Sequence, residues 1–402
     1  MRNVIAVVLA GGRGERLMPL TNGRAKPAVP FAGKWTIFDF IMNSIINSEI
    51  SKTMVLTQYG AQALIDHIER FSFSNPLYGQ SVKCVPAQMR IGSEWYKGTA
   101  DAVFQNLGLI SNNKGIDTAA ILAGDHVVKI DLKQVYEFHN RNKSVFTVCC
   151  LAMPSSDASG NFGVVEVDEN NRIVGFEEKP ETPKEIPGSP GFSFVSIGNY
   201  IADLSYLSNV LEEDAQSIVS SHDFGNDVIP KIIRTKETIF AYDFGTNSIP
   251  GEKSIYWRDV GRISTYHEVH MDLVCPEPEL SLYNKEWPIR TFPDGLPPAK
   301  FVNPGQYEQL ITSGGCIIDG ACIEKSVLNR EVRVEFGSQI YESILLDNAH
   351  VAAWSKIKRA IIGQGVYVPE GFCVGCNSDE DESRGLKIVD GITIVPEGFL
   401  FK

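Results

Sequence analysis

From residue 302 onward, aliphatic residues recur six positions apart: Ile317 with Ile323, Val334 with Ile340, then Leu345, Val351 and Ile357, and Ile362, Val368 and Val374. Helices repeat about every 3.6 residues and half-buried strands every second residue, so neither template fits. Hexapeptide turns of a parallel β-helix do fit, with one inward aliphatic per flat face and each coil stacked on the last. Gly320, Gly337, Gly365 and Gly371 fall between the aliphatics, where turns need small residues. The pattern predicts a β-helix domain over 302–402.

Residues 1–274 have another texture. "NVIAVVLA" reads as a buried strand, "TIFDFIMNSIINSEI" as an amphipathic helix, "KTMVLTQ" as a strand, "QALIDHIERF" as a helix and "TAAILAGD" as a strand. This alternation predicts an α/β domain, Rossmann-like, with a mostly parallel sheet wrapped by helices; ligands bind such sheets beyond the carboxyl ends of the strands. Between the two domains, residues 275–301 carry six prolines and no sustained period, and read as an extended connection.

With 37 basic and 49 acidic side chains the net charge is −12, and no long basic run offsets it. That argues against broad nucleic-acid or anionic-membrane binding, so any anion site must be a local concentration of positive charge. No apolar stretch reaches the roughly 18 residues of a membrane span, and no small-x-small cleavage pattern follows the first strand, which favours a cytoplasmic location. Eight cysteines are scattered without a disulfide framework. Cys373-x-x-Cys376 with Cys316 and Cys322 could form a zinc site, but the uneven spacing makes buried thiols the default.

The local positive site lies in residues 11 to 34, where Arg13, Arg16, Arg24, Lys26 and Lys34 face a single acid, Glu15. "LAGGRGERL" ends the first strand in a glycine-rich turn that is either a phosphate cradle or a plain tight turn; it lacks the third glycine of a dinucleotide fingerprint and the Gly-Lys-Ser/Thr of a Walker loop. Asp125 in "ILAGDHVVKID" and Asp259 in "YWRDVGR" could hold a divalent cation through oxygen, or respectively cap a helix and pair with Arg258. Glu178 and Lys179 in "GFEEKPE" could bind sugar hydroxyls and a phosphate, or be solvated charges. In "WYKGTADAV", Trp95 and Tyr96 offer flat surfaces for a base, Gly98 a turn and Thr99 a helix N-cap. His126 and His222 read as structural hydrogen-bonding residues, and no covalent nucleophile stands out.

Taken together, "LAGGRGERL", "RAKPAVPFAGK", "LTQY", "WYKGTADAV", "ILAGDH", "FEEKP", "SSHDFGNDVIP", "YWRDVG", "WPIRT", "PPAKF" and "SGGCIIDG", in that order, resemble the sugar-nucleotide pyrophosphorylases over almost the whole chain. "WYKGTADAV" and the "WPIRT" to "PPAKF" connection favour the branch that forms ADP-glucose over the thymidylyl, uridylyl and guanylyl relatives. A non-catalytic regulatory subunit of the same fold would have lost Arg16, Lys26, Asp125, Lys179 or Asp259, and all five are present.

The resemblance implies a left-handed β-helix for the second domain. It also implies an Mg2+-assisted, in-line transfer in which ATP and glucose 1-phosphate give ADP-glucose and pyrophosphate, in α-glucan synthesis. Under it, Gly11, Gly12, Gly14 and Arg16 wrap the triphosphate, Lys26 lies near the reacting phosphates, and Asp125 and Asp259 hold Mg2+. Gln58, Gln88 and Gly98 contact the adenine, while Tyr96, Gly163, Glu178, Lys179 and Ser196 bind glucose 1-phosphate. A homotetramer and control by a glycolytic intermediate are further implications. The chain departs from the family at Glu15, Val128, Arg262 and Gly23, the last standing where relatives carry a basic residue of the activator site.

Overall fold

The computed structural model describes residues 1–71, 81–88 and 95–401. At the centre of the first domain is the strand Val4–Ala10 (β1), buried on both faces because helices cover both. Val4, Ala6 and Val8 share a core with the helices Ile37–Asn47 (α1) and Ala61–Phe71 (α2). Ile5 and Val7, pointing the other way, share one with Thr99–Phe104 (α3), Leu204–Ala215 (α4) and Ile229–Arg234 (α5). The period-2 alternation of a strand thus becomes two separate cores.

Around β1 the described residues form a nine-stranded sheet. On one side lie Lys52–Thr57 (β2) and Ser81–Pro86 (β3), and on the other Thr118–Ala123 (β4), all parallel to β1 or to one another. The rest is reached after a small two-stranded ribbon starts with Val127–Lys129 (β5). Phe146–Pro154 (β6), Gly163–Val167 (β7), Ile173–Glu178 (β8), the long Phe192–Asp203 (β9) and Ile239–Asp243 (β10) complete the sheet. β9 joins antiparallel to β4, giving the path β8-β7-β9-β4-β1-β2-β3. Tyr256–Arg258 (β11) pairs antiparallel with β5, and Ile263–Leu273 (α6) closes the domain.

No described helix is long and apolar enough to cross a membrane. The connection after α6 is strapped to the first domain by hydrogen bonds between side chains of that domain and the backbone of the connection. Asn43 on α1 donates to Arg290 O at 2.8 Å and accepts from Arg290 N at 2.9 Å, and Lys129 donates to Ser281 O at 2.5 Å.

The second domain is a parallel β-helix, and its register explains the spacing in the sequence. Ile323, Ile340, Ile357 and Val374 stack directly on one another, seventeen residues apart. Inward aliphatics run Val334, Ile340, Leu345, Val351, so a coil is two steps of six and one of five. The five-residue step turns the tightest corner, where Lys325, Glu342 and Arg359 all adopt left-handed backbone angles (φ 44, 44 and 46°). One expectation is corrected: Ile317 is 41% exposed, and Ile318 is the inward residue. The coil from Ile318 to its partner Val334 is sixteen residues, one shorter than that from Phe301 to Ile318, and the step to Ile323 is five rather than six. At another corner the rings of Phe336 and Trp354 pack over the preceding coils, where a Cβ on Gly337 would come 2.3 Å from Trp354.

One face of the β-helix completes the first domain. Ile344, Leu346, Ile361, Ile392 and Ile394 share a core with Leu17, Val29, Phe31, Tyr266 and Val269. Cys373 and Cys376, read as free thiols or zinc ligands, form a disulfide; Cys316 is buried and Cys322 lies beside the Tyr341 hydroxyl. No group of three or more metal-ligating side chains occurs among the described residues.

Candidate active site

The two aspartates meet because of a three-residue ribbon. β5 follows Asp125 and β11 precedes Asp259, and the antiparallel register pairs Arg258 with Val127 and Trp257 with Val128. The next positions outward therefore bring Asp259 opposite the Asp125–His126 pair. Lys26 reaches both carboxylates from a 3-10 turn that follows the glycine-rich loop: Nζ lies 2.7 Å from Asp259 Oδ1 and 3.2 Å from Asp125 Oδ2. Arg16 extends to within 3.7 Å of Asp259 Oδ2. His126 Nε2 is 3.6 Å from Asp125 and 3.9 Å from Asp259, and its ring stands edge-on to Trp257.

The loop geometry explains one glycine in particular. Gly14 has φ 62°, and a Cβ there would come 2.9 Å from the Lys26 side chain, so the turn that seats Lys26 excludes other residues. Gly12, by contrast, faces open space.

Burial is the largest influence on both charged partners and disfavours each charge, yet pairing outweighs it. Asp125 and Asp259 leave the Lys26 ammonium above its ordinary value. Lys26 and then His126 hold the Asp125 carboxyl down to about 2. Lys26 is thus a fixed cation with its side chain 6% exposed, not a proton donor at neutral pH. Of the alternatives open in the sequence, the two bland ones fail: Asp125 follows β4 and caps no helix, and Arg258 pairs with Glu279 at 2.7 Å, not with Asp259.

A cavity of about 520 Å3 opens beside this cluster, in the range of ligand pockets. From the predicted nucleotide set it is lined by Gly11, Gly12, Gln58 and Gly98; from the predicted sugar set, by Tyr96, Gly163, Glu178 and Ser196. Asp125 and His126 also line it. Gly14, Arg16, Lys26 and Asp259 do not line it; Lys26 touches the lining at Asp125 (3.2 Å), Asp259 lies 3.9 Å from His126, and Arg16 connects through Asp259. Gln88 is exposed beyond the end of β3, and Lys179 is half-exposed with Nζ 3.4 Å from Glu178 Oε1; neither lines the cavity.

Close approaches fix this lining. A Cβ on Gly163 would come 2.5 Å from Phe176 and 2.7 Å from Glu178 Oε2, so glycine is what lets the Glu178 carboxylate turn inward. A Cβ on Gly98 would come 2.2 Å from His222 O, and Gly98 rather than Thr99 is the N-cap of α3. Thr99 instead donates its hydroxyl to Asp223 at 2.8 Å. Ser196 lies at a register shift in β9 that carries Gly198 and Asn199, whose side chain accepts from Ala123 N at 3.1 Å.

Sequence reasoning missed Asp223, Phe224 and Gly225, which line the cavity beside the start of α3. The signal was present in "HDFGND": Asp223 accepts from Gly225 N and Asn226 N, the N-cap pattern of a turn entering a helix. His222, which the sequence set beside acidic residues, bonds Asp214 at 2.9 Å and is a structural residue.

Two carboxylates converging on one cation, here the Lys26 ammonium, form a hard-oxygen donor pair of the kind that holds Mg2+ together with ligand phosphates and water.

Comparison with known proteins identifies the family of each domain. Residues 5–274 match the nucleotidyl transferase family, and residues 297–395 match the GlmU-like C-terminal hexapeptide family, which accords with the left-handed β-helix. The chain is 43% identical over 403 residues to the glucose-1-phosphate adenylyltransferase of Aliivibrio fischeri, covering 99% of both. To that of Vibrio vulnificus it is 42% identical, again covering 99% of both, and to that of Shewanella baltica 43%, covering 99% of this chain and 96% of the relative. With the fold, the cavity and these full-length matches in agreement, the chain belongs to the glucose-1-phosphate adenylyltransferase family.

Proposed function

We propose that this protein catalyses adenylyl transfer from ATP to glucose 1-phosphate, giving ADP-glucose and pyrophosphate. The observation that carries the reading is the order of the sheet around the cavity. The predicted nucleotide contacts Gly11, Gly12 and Gln58 follow β1 and β2, the predicted sugar contacts Gly163, Glu178 and Ser196 sit on β7, β8 and β9, and Asp125 follows β4, the strand between the two groups.

In the reaction a phosphate oxygen of glucose 1-phosphate attacks the α-phosphorus of ATP. The bond from that phosphorus to the β-phosphate bridging oxygen breaks, and pyrophosphate leaves. The nucleophile is already anionic, so no general base is required; the barrier is repulsion between anions and the charge growing on the leaving group. Lys26, held between the two aspartates, and Arg16 supply fixed positive charge along the path of the phosphates. Asp125 and Asp259 would hold Mg2+, which when bound neutralises phosphate charge. Glu178 takes the sugar hydroxyls, Lys179 the sugar phosphate, and Gln58, Gln88 and Gly98 the base. A homotetramer, a cytoplasmic location and control by a glycolytic intermediate complete the reading.

Pyrophosphate release from ATP, UTP, dTTP, GTP and CTP, each with glucose, mannose and N-acetylglucosamine 1-phosphates, tests it. The expected result is fastest turnover with ATP and glucose 1-phosphate; fastest turnover with UTP or dTTP would overturn the adenylyl assignment.

A further inference from the structure

Between Arg24 and Lys26 three consecutive residues are gripped by three different parts of the molecule. Lys26 is held by Asp125 and Asp259. Ala25 N donates to Gly60 O at 3.0 Å, and a Cβ on Gly60 would come 2.7 Å from Ala25 N, so this backbone lies flush on the loop after β2. Arg24 turns the other way and reaches the β-helix: its guanidinium donates to Glu397 Oε2 at 2.6 Å and to Gln364 Oε1 at 3.4 Å. The Arg24 side chain is largely buried, and among the described residues Glu397 is the one carboxylate within ion-pair distance. The same β-helix end grips the loop a second time, Lys387 donating to Met18 O at 3.2 Å.

We propose that Glu397 is a positioning residue for the reaction, acting from the second domain through Arg24 to set the position of Lys26; the catalytic part of this inference rests on the adenylyl-transfer reading above. The physical basis is the shortness of the path. Glu397 and the aspartates pull on side chains two residues apart, with the intervening backbone pinned to Gly60, so the segment has no slack to absorb a shift. A cation stabilising charge on phosphates loses effect when displaced by a fraction of an ångström to an ångström. The first domain supplies the carboxylates that face Lys26, and the β-helix supplies the opposing anchor. A β-helix in this protein is therefore part of the active-site framework as well as an apolar lid on α6.

The test compares the full-length protein with Glu397→Gln and with the exchanged pair Arg24→Glu, Glu397→Arg. Each is assayed for kcat and KM, and for acetylation of Lys26 by acetic anhydride read by mass spectrometry. Glu397→Gln is expected to lower kcat about threefold to fivefold, the scale of a partly exposed ion pair, with both KM values within about twofold. Lys26 acetylation is expected to rise by a similar factor, and the exchanged pair to recover at least half of both effects. Unchanged Lys26 acetylation in Glu397→Gln overturns the proposal, as does a fall in thermal midpoint that the exchanged pair repairs without restoring Lys26 protection. If the unaltered protein releases no pyrophosphate, the adenylyl-transfer reading fails, and the acetylation comparison alone decides whether Glu397 positions Lys26.

Discussion

Lys26 Nζ lies 2.7 Å from Asp259 Oδ1, although the two residues are 233 positions apart in the chain. The contact joins the glycine-rich loop after the first strand to the short β11 strand near the end of the domain. It makes the Lys26 charge a fixed part of the site.

Replacing Lys26 by methionine keeps most of the side-chain volume and removes the charge. The expected outcome is a fall in kcat of about a hundredfold to a thousandfold, the scale of losing one preorganised electrostatic contact, with an unchanged far-ultraviolet circular dichroism spectrum. Steady-state pyrophosphate release measures it, and a kcat within twofold of the unaltered protein contradicts a role for this cation.

Gly163→Ala addresses the sugar side. The new methyl would meet Phe176 at 2.5 Å and Glu178 Oε2 at 2.7 Å, so the carboxylate must swing out of the cavity. Losing one hydrogen bond to a charged group corresponds to a KM for glucose 1-phosphate raised about tenfold or more, with the KM for ATP little changed. Equal rises for both substrates would show that Glu178 does not serve the sugar.

Acid stability follows from His270 on α6. Its ring is fully buried, donating from Nδ1 to Tyr266 O at 2.7 Å and accepting at Nε2 from Ala32 N at 3.0 Å. Burial is the main cause that pushes it down to about 3. The unfolded chain takes up this proton near pH 6.5 and the folded one does not, so stability is intact above that pH. It is lost as pH falls from about 6.5 toward 3. From pH 7.5 to 5.5 this one group removes about 1.4 kcal/mol, measurable by urea unfolding at the two pH values. His139 and His267, also lowered chiefly by burial, act in the same direction.

The elements that could be read from residues alone are those whose signal is local. The unbroken apolar runs in "NVIAVVLA" and "TAAILAGD" mark β1 and β4, and the glycines after β1 mark the loop, because a strand buried on both faces and a tight turn each constrain their own residues. The β-helix was legible from its sixes but not from its closure. The five-residue step between Ile340 and Leu345 depends on a left-handed Glu342, and glutamate carries no mark of that conformation. Asp125 and Asp259 stood out as strand-end acids, yet their meeting depends on β5 pairing with β11, strands of three residues each, too short to show a period. Asp223 and Phe224 were missed because they enter the cavity from a segment between α4 and α5 that only the packing against α3 brings there. In the sequence Arg24 is one more positive charge on the loop; its partner Glu397 lies 373 positions away in the other domain.

The most direct test of the account is Asp125→Asn, assayed for pyrophosphate release from ATP and glucose 1-phosphate across a titration of Mg2+. The side chain keeps its shape and loses the charge that both Lys26 and a metal require. The account predicts a loss of turnover of about a thousandfold at saturating Mg2+, with the fold intact by circular dichroism. Near-normal turnover at limiting Mg2+ would contradict it.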